Sequence, residues 1–148
     1  MHMIRPITAQ DKDKYMEMTD HFYHSEAVLH PVPESFRLAT WSELMRSNAY
    51  LECFFDEEDG IVRGFLLLAY TFSQEAGGKV AWIEEIFVEP PYRGQGIGRQ
   101  FFAFLRERIE PHCARLRLEV EPDNERAKKL YEEMGFRSLP YAQMLKGS

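Results

Sequence analysis

The run Arg93-Gly94-Gln95-Gly96-Ile97-Gly98 constrains this chain more than any other feature. It follows a stretch that reads as a strand, Val80 to Val88, closed by Glu89-Pro90-Pro91. It opens an amphipathic helix carrying Ile97, Phe101, Phe104, Leu105 and Ile109 at three- and four-residue steps, with Pro111 as its stop. A strand that runs into glycines at the mouth of a helix exposes backbone N–H groups with no intrahelical partner. The helix dipole adds positive character at that end, and glycine lets the backbone take φ > 0 and admit a ligand closely. The product is an anion cradle suited to a pyrophosphate, with Arg93 at its edge. No Lys-Ser/Thr pair follows, so it is not a Walker loop. Glycines at 94, 96 and 98 also miss the Gly-x-Gly-x-x-Gly spacing of dinucleotide folds.

The rest of the chain fills in around this junction. Ile4 and Ile7 mark a first strand, and Thr8 with Asp11 reads as an approximate capping box for a helix from about Ala9, with Tyr15, Met18 and Phe22 on one face. His30-Pro31-Val32-Pro33 interrupts, and a second helix is expected over Phe36 to Arg46, striped by Leu38, Trp41, Leu44 and Met45. The period then changes. Tyr50–Phe55, Ile61–Phe72 and Val80–Val88 read as an antiparallel meander, turned first at Asp56-Glu57-Glu58-Asp59-Gly60, which ends in Asp-Gly, and then at Glu75-Ala76-Gly77-Gly78. After the glycine-rich helix come a strand over Leu116–Val120, a helix from Asn124 stopped by Gly135, and a last strand over Tyr141–Leu145. The order β-α-α-β-β-β-α-β-α-β predicts an α/β (α+β) fold: a mixed, mostly antiparallel sheet flanked by about four helices.

At 148 residues this is the size of one domain, read here as 1–148. The longest apolar run, Gly64 to Thr71, is strand-sized, so no membrane span is expected, and Met1–Gln10 is too polar for a signal peptide. Cys53 and Cys113 lie in no metal or redox spacing and read as free thiols of a cytoplasmic protein. The five histidines show no paired-ligand pattern, so no metal is expected. A net charge of −6 disfavours nucleic acid and favours cationic partners such as amines.

Ile83-Glu84-Glu85-Ile86-Phe87-Val88-Glu89-Pro90-Pro91-Tyr92-Arg93-Gly94-Gln95-Gly96-Ile97-Gly98 closely resembles the acetyl-CoA-binding motif of the GNAT N-acetyltransferases. Leu118-Glu119-Val120, Asn124, Ala127, Leu130-Tyr131 and Gly135-Phe136 resemble the second half of the same core. The resemblance implies a sheet in which a bulged strand splays from a parallel neighbour and the pantetheine arm lies in the gap. A bulge would also explain why Ile83, Ile86 and Val88 break a period of two. By that resemblance the backbone of Ile86, Phe87 and Val88 serves pantetheine. Arg93, Gly94, Gln95, Gly96, Ile97, Gly98 and Arg99 hold the pyrophosphate, and Asn124, Ala127 and Tyr131 border the arm from the other side.

The implied chemistry moves acetyl from acetyl-CoA, as co-substrate, to a primary amine. Tyr131 matches the family's general-acid tyrosine by position, with Tyr92 and Tyr141 as weaker alternatives. Glu84, Glu85 and Glu119 compete for the base, and a proton relayed wholly by water remains a further reading. Glu84 and Glu85 face opposite ways on a regular strand, so both can line one cleft only if the bulge falls between them. His21, His24 and His30 read as exposed helix and loop residues, or as lining of the cleft mouth. A cysteine nucleophile is disfavoured, because neither thiol has a base at a recognisable spacing. A non-catalytic acyl-CoA-binding regulatory module would share the cradle but needs neither acid nor base. The acceptor amine, and whether the chain forms a homodimer, are not legible.

Overall fold

The computed structural model describes residues 1–25, 28 and 30–147. The chain divides into two compact units, Met1–Leu118 and Glu119–Ser148.

In the first unit five strands lie in chain order: β1 (His2–Pro6), β2 (Leu51–Glu58), β3 (Ile61–Ser73), β4 (Gly78–Val88) and β5 (Arg115–Arg117). The first four pair antiparallel, and β4–β5 is parallel. The meander forms because its turn residues match their geometry. The first turn is shorter than expected: Asp56, Glu57 and Glu58 pair with β3, and only Asp59 and Gly60 make the loop, both with positive φ, 52° and 82°, as a two-residue hairpin requires. At the entry to the first helix the Thr8 N–H donates to Asp11 Oδ2 at 2.7 Å, the expected half of a capping box.

Alternation along β2 and β3 sends apolar side chains to both faces of the sheet, so each face receives helices. On one side α1 (Lys12–Tyr23) and α2 (Glu34–Arg46) bring Tyr15, Met18, Phe22, Trp41 and Leu44 onto Phe55, Phe65, Leu67 and Phe87. On the other, α3 (Ile97–Phe104) and the wider turn continuing it over Leu105–Ile109 set Ile97, Phe101, Leu105 and Ile109 on Phe54, Leu66, Leu68 and Ala81. Burial of each such side chain contributes roughly 1.5–3 kcal/mol, which makes the three-layer packing the main source of stability. The expected stripe on α2 holds only in part: Trp41 and Leu44 are buried, while Leu38 and Met45 remain exposed.

Asp56 is fully buried on β2 and is matched by two donors. Arg63 Nε reaches Asp56 Oδ2 at 2.8 Å and His2 Nε2 lies 2.5 Å from Oδ1; Arg63 Nη1 also donates to Glu58 Oε2 at 2.7 Å.

The second unit contains α4 (Glu125–Glu133). Gly135 takes φ 97°, a conformation that favours glycine, and ends the helix as expected. Two strand expectations fall short. β5 covers Arg115–Arg117 rather than Leu116–Val120, and 141–145 carries no strand. Tyr141, Met144 and Leu145 are exposed, so that segment lacks the buried face that would hold it in a sheet. Among the described residues no helix is long and apolar enough to cross a membrane.

Candidate active site

β4 is bulged where the sequence loses its alternation. Leu67 pairs with Glu85 and Leu68 with Ile83, so Glu84 is the extra residue. Ile83 packs with the α3 face of the sheet, whereas Glu85 shares the α1 face with Phe87. Glu84 is exposed.

Glu85 is a carboxyl group among aromatic rings. Tyr23, the last residue of α1, donates its phenolic hydrogen to Glu85 Oε2, while Oε1 is buried with no hydrogen-bond partner among the described residues. Burial pushes the carboxyl up to about 7; Glu84 adds to that rise by like-charge repulsion and the Tyr23 hydrogen bond opposes it. Tyr23 and Tyr15 are both pushed well above the ordinary phenol range, burial being the largest cause, so both stay protonated. Arg37 lies nearby, but its Nη1 is engaged by the Met16 carbonyl at 2.8 Å and Thr19 Oγ1 at 3.1 Å.

The backbone beyond the bulge is poised to take a ligand. Glu89 N–H donates to the Arg63 carbonyl at 2.8 Å. Peptide groups alternate sides along an antiparallel strand, so Ile86 and Val88 turn theirs away from β3. On that side the ladder to β5 runs only from Val80↔Arg115 to Trp82↔Arg117. The Phe87 side chain is core, which leaves only its backbone for a ligand. Arg93 Nε donates to the Val88 carbonyl at 2.9 Å, and its guanidinium lies 5.5 Å over the Phe87 ring.

Gly94 and Gly96 take φ 79° and 83°, and Gly96 caps α3 in the left-handed conformation. A Cβ built on Gly94, Gly96 or Gly98 would meet nothing within 4 Å, so the loop opens onto free space. Gln95 and Arg99 are exposed, whereas the Ile97 side chain is in the core and only its N–H can face a ligand. An acetyl-CoA pyrophosphate fits this arrangement of positive φ, open space and unpaired helix N–H groups.

The remaining expected residues belong to the second unit. Glu119 is exposed there. Asn124 Oδ1 accepts the Ala127 N–H at 3.1 Å and so caps α4, which engages two of the residues expected to border the arm. Tyr131 packs edge-on against Phe136 at 6.1 Å, and burial raises its phenol.

Sequence reasoning missed Tyr23 and Glu89. Tyr23 lies eight residues past Tyr15, at helical spacing. Glu89 follows β4, and its Oε1 lies 2.8 Å from His21 Nδ1. One ligand atom each from Glu17, His21 and Glu89 lies within 4.8 Å of the others, a cluster that scattered histidines did not announce. A cleft between α1 and α2 is lined by Glu17, Asp20, Glu34, His24 and Arg37 and carries more negative than positive groups. Cys53 is buried and its thiol is held well above the ordinary range by desolvation; burial also raises Cys113.

Comparison with known proteins gives a consistent picture. The model of the acetyltransferase (GNAT) family matches residues 15–136. The thialysine N-epsilon-acetyltransferase of Bos taurus is 36% identical over 83 residues, 55% of this chain and 48% of that protein. The chain thus spans about half the length of the curated relatives it matches first. A solved structure from Clostridium difficile 630, a possible acetyltransferase, superposes with TM-score 0.86 at 18% identity, covering 100% of this chain and 98% of the other. The aminoglycoside N-acetyltransferase AAC(6')-Iy in complex with CoA gives 0.76 at 19% identity, over 99% and 95% of the two chains.

Proposed function

The chain belongs to the GNAT acetyltransferase family, and from that premise we propose that it moves an acetyl group from acetyl-CoA to a primary amine, with both substrates bound at once. The observation that carries this reading is Glu85: a buried carboxyl with one free oxygen, pushed up to about 7, on the strand that bears the cofactor motif. A group poised near neutrality is matched to taking a proton from an ammonium. Glu84 and Glu119 are exposed and offer no such environment. A pure acyl-CoA binder has no use for a buried base, which favours the enzyme over a regulatory module. The family match, residues 15–136, extends past residue 118, which supports reading 1–148 as one transferase domain.

Acetyl-CoA supplies the activated acyl group as a thioester. The backbone of Ile86 and Val88 holds the pantetheine arm, and Arg93 to Arg99 hold the pyrophosphate. Glu85 takes one proton from the ammonium, relayed by a water because Oε1 is buried, and leaves the nitrogen a free lone pair for the carbonyl carbon. As the new C–N bond forms and the C–S bond breaks, the departing sulfur takes a proton, the general-acid role that the family resemblance gives Tyr131. The second nitrogen proton leaves as the amide forms and restores Tyr131 through solvent. Burial keeps Tyr131 protonated until that moment. Both thiols are held in the protonated form by burial, which disfavours an acetylated cysteine on the way.

Relatives named for thialysine and aminoglycoside acetylation, and the acidic cleft between α1 and α2, support a cationic acceptor. The test is thiol release from acetyl-CoA against a panel of polyamines, aminoglycosides, amino acids and short peptides. Wild-type protein turns over at least one amine with intersecting double-reciprocal lines, and Glu85→Gln loses about 10²–10⁴-fold in kcat. Parallel lines, or thiol release unaffected by Glu85→Gln, would overturn the reading.

A further inference from the structure

Given Glu85 as the base, we propose that Tyr23 is its positioning residue: the phenol grips Oε2 and so fixes the carboxylate with Oε1 alone left to receive a proton. The inference rests on the reading of Glu85 above, but on separate observations.

The grip is rigid at both ends. Tyr23 closes the last turn of α1 and packs edge-on against Phe22, with ring centroids 5.0 Å apart and planes at 71°. Phe22 in turn meets Phe65 and Phe87, each with ring centroids 6.0 Å away. Glu85 is held by its pairing with Leu67, and the bulge at Glu84 puts it on the face that α1 covers.

Among the described residues the grip has no competitor. Among the described residues the ionisable groups that interact with Glu85 are Tyr15 and Tyr23 from α1, Cys53 from β2 and Glu84 from β4 itself, and Arg37 from α2 acts on the two tyrosines. Arg37 is itself bound to the Met16 carbonyl, to Thr19 Oγ1 and, at 3.5 Å, to Asp20. Among the described residues, then, the only hydrogen bond to the Glu85 carboxylate comes from Tyr23. A neutral phenol donates without taking the proton itself. It stabilises the ionised carboxylate against burial and against Glu84, and so holds the base within reach of neutral pH.

The experiment is an NMR titration of the Glu85 side-chain carboxyl carbon in the full chain with ¹³C-labelled glutamate, the signal being assigned by its loss in Glu85→Gln. Tyr23→Phe keeps the ring and removes only the donor. A hydrogen bond to a charged group changes proton affinity about ten-fold, so the Glu85 midpoint should rise by about one pH unit. The acid limb of kcat/KM should move with it. A 3-fluorotyrosine at position 23, a stronger donor of nearly the same size, should move the midpoint down. A midpoint unchanged in both variants overturns the proposal and leaves Tyr23 a packing residue. Failure of the base reading looks different: the midpoint shifts, but Glu85→Gln turns over like wild type, and the positioning role falls with the base.

Discussion

Tyr23 and Glu85, 62 residues apart in sequence, meet as phenol and carboxylate at the end of α1. The contact places the one strongly perturbed carboxylate among the described residues beneath a helix rather than at the open end of the sheet. Its consequences reach stability as well as catalysis.

The Glu85 carboxyl is pushed from an ordinary 4.5 to about 7, mainly by burial. The folded state therefore binds this proton more tightly than the unfolded chain does. The associated stability is fully present below about 4.5 and is lost as pH rises through 7. The gap is worth roughly 3 kcal/mol. Glu85→Gln, which cannot ionise, should gain about that much on wild type between pH 4.5 and 8. Urea midpoints of the two proteins across that range measure it, and a constant difference would show that the carboxyl titrates normally.

Gly96 caps α3 at φ 83° with open space before it. Wild type should gain melting temperature with acetyl-CoA, equivalent to about 2.7 kcal/mol at 100 times the Kd. Gly96→Glu would put a carboxylate in the cradle proposed for the pyrophosphate. It should fold and yet show no gain, and an undiminished gain would remove the cradle from the cofactor site.

Tyr131→Phe should lower kcat about 10²–10⁴-fold and leave acetyl-CoA affinity nearly intact, because the proton is needed only as charge develops on sulfur. The ring contact with Phe136 survives the change. Wild-type turnover from pH 6 to 9 would assign the proton to water or another group.

Arg63→Met should cost about 3–5 kcal/mol, because it strips the guanidinium partner from a fully buried Asp56. The double variant Asp56→Asn, Arg63→Met should recover part of that loss in chemical denaturation. Equal losses in the single and the double variant would show that the pair is not coupled.

The parts of the fold that could be read from the sequence are those set by neighbours along the chain. Asp59-Gly60, the Thr8–Asp11 pair and the Gly135 stop are local backbone chemistry, and the bulge showed in the broken alternation of Ile83, Ile86 and Val88. Glu84 and Glu85 were indistinguishable there, because their difference is burial by a helix far away in sequence. Tyr23 looked like one more helix aromatic for the same reason. The segment 141–145 misled in the other direction, because its apolar side chains suggested a strand although most are exposed.

The bulge at Glu84 has an odd property: Ile83 and Glu85 already sit opposite consecutive residues of β3. Losing a single codon at 84 would therefore leave every other rung of that ladder with its present partner and each side chain on its present face. The straightened strand would be closer to ideal and would lose the local bend that a bulge gives. An in-frame deletion there should pass as harmless by every criterion of folding. It should nevertheless lower thiol release from acetyl-CoA, because the extra residue serves the proposed site rather than the fold.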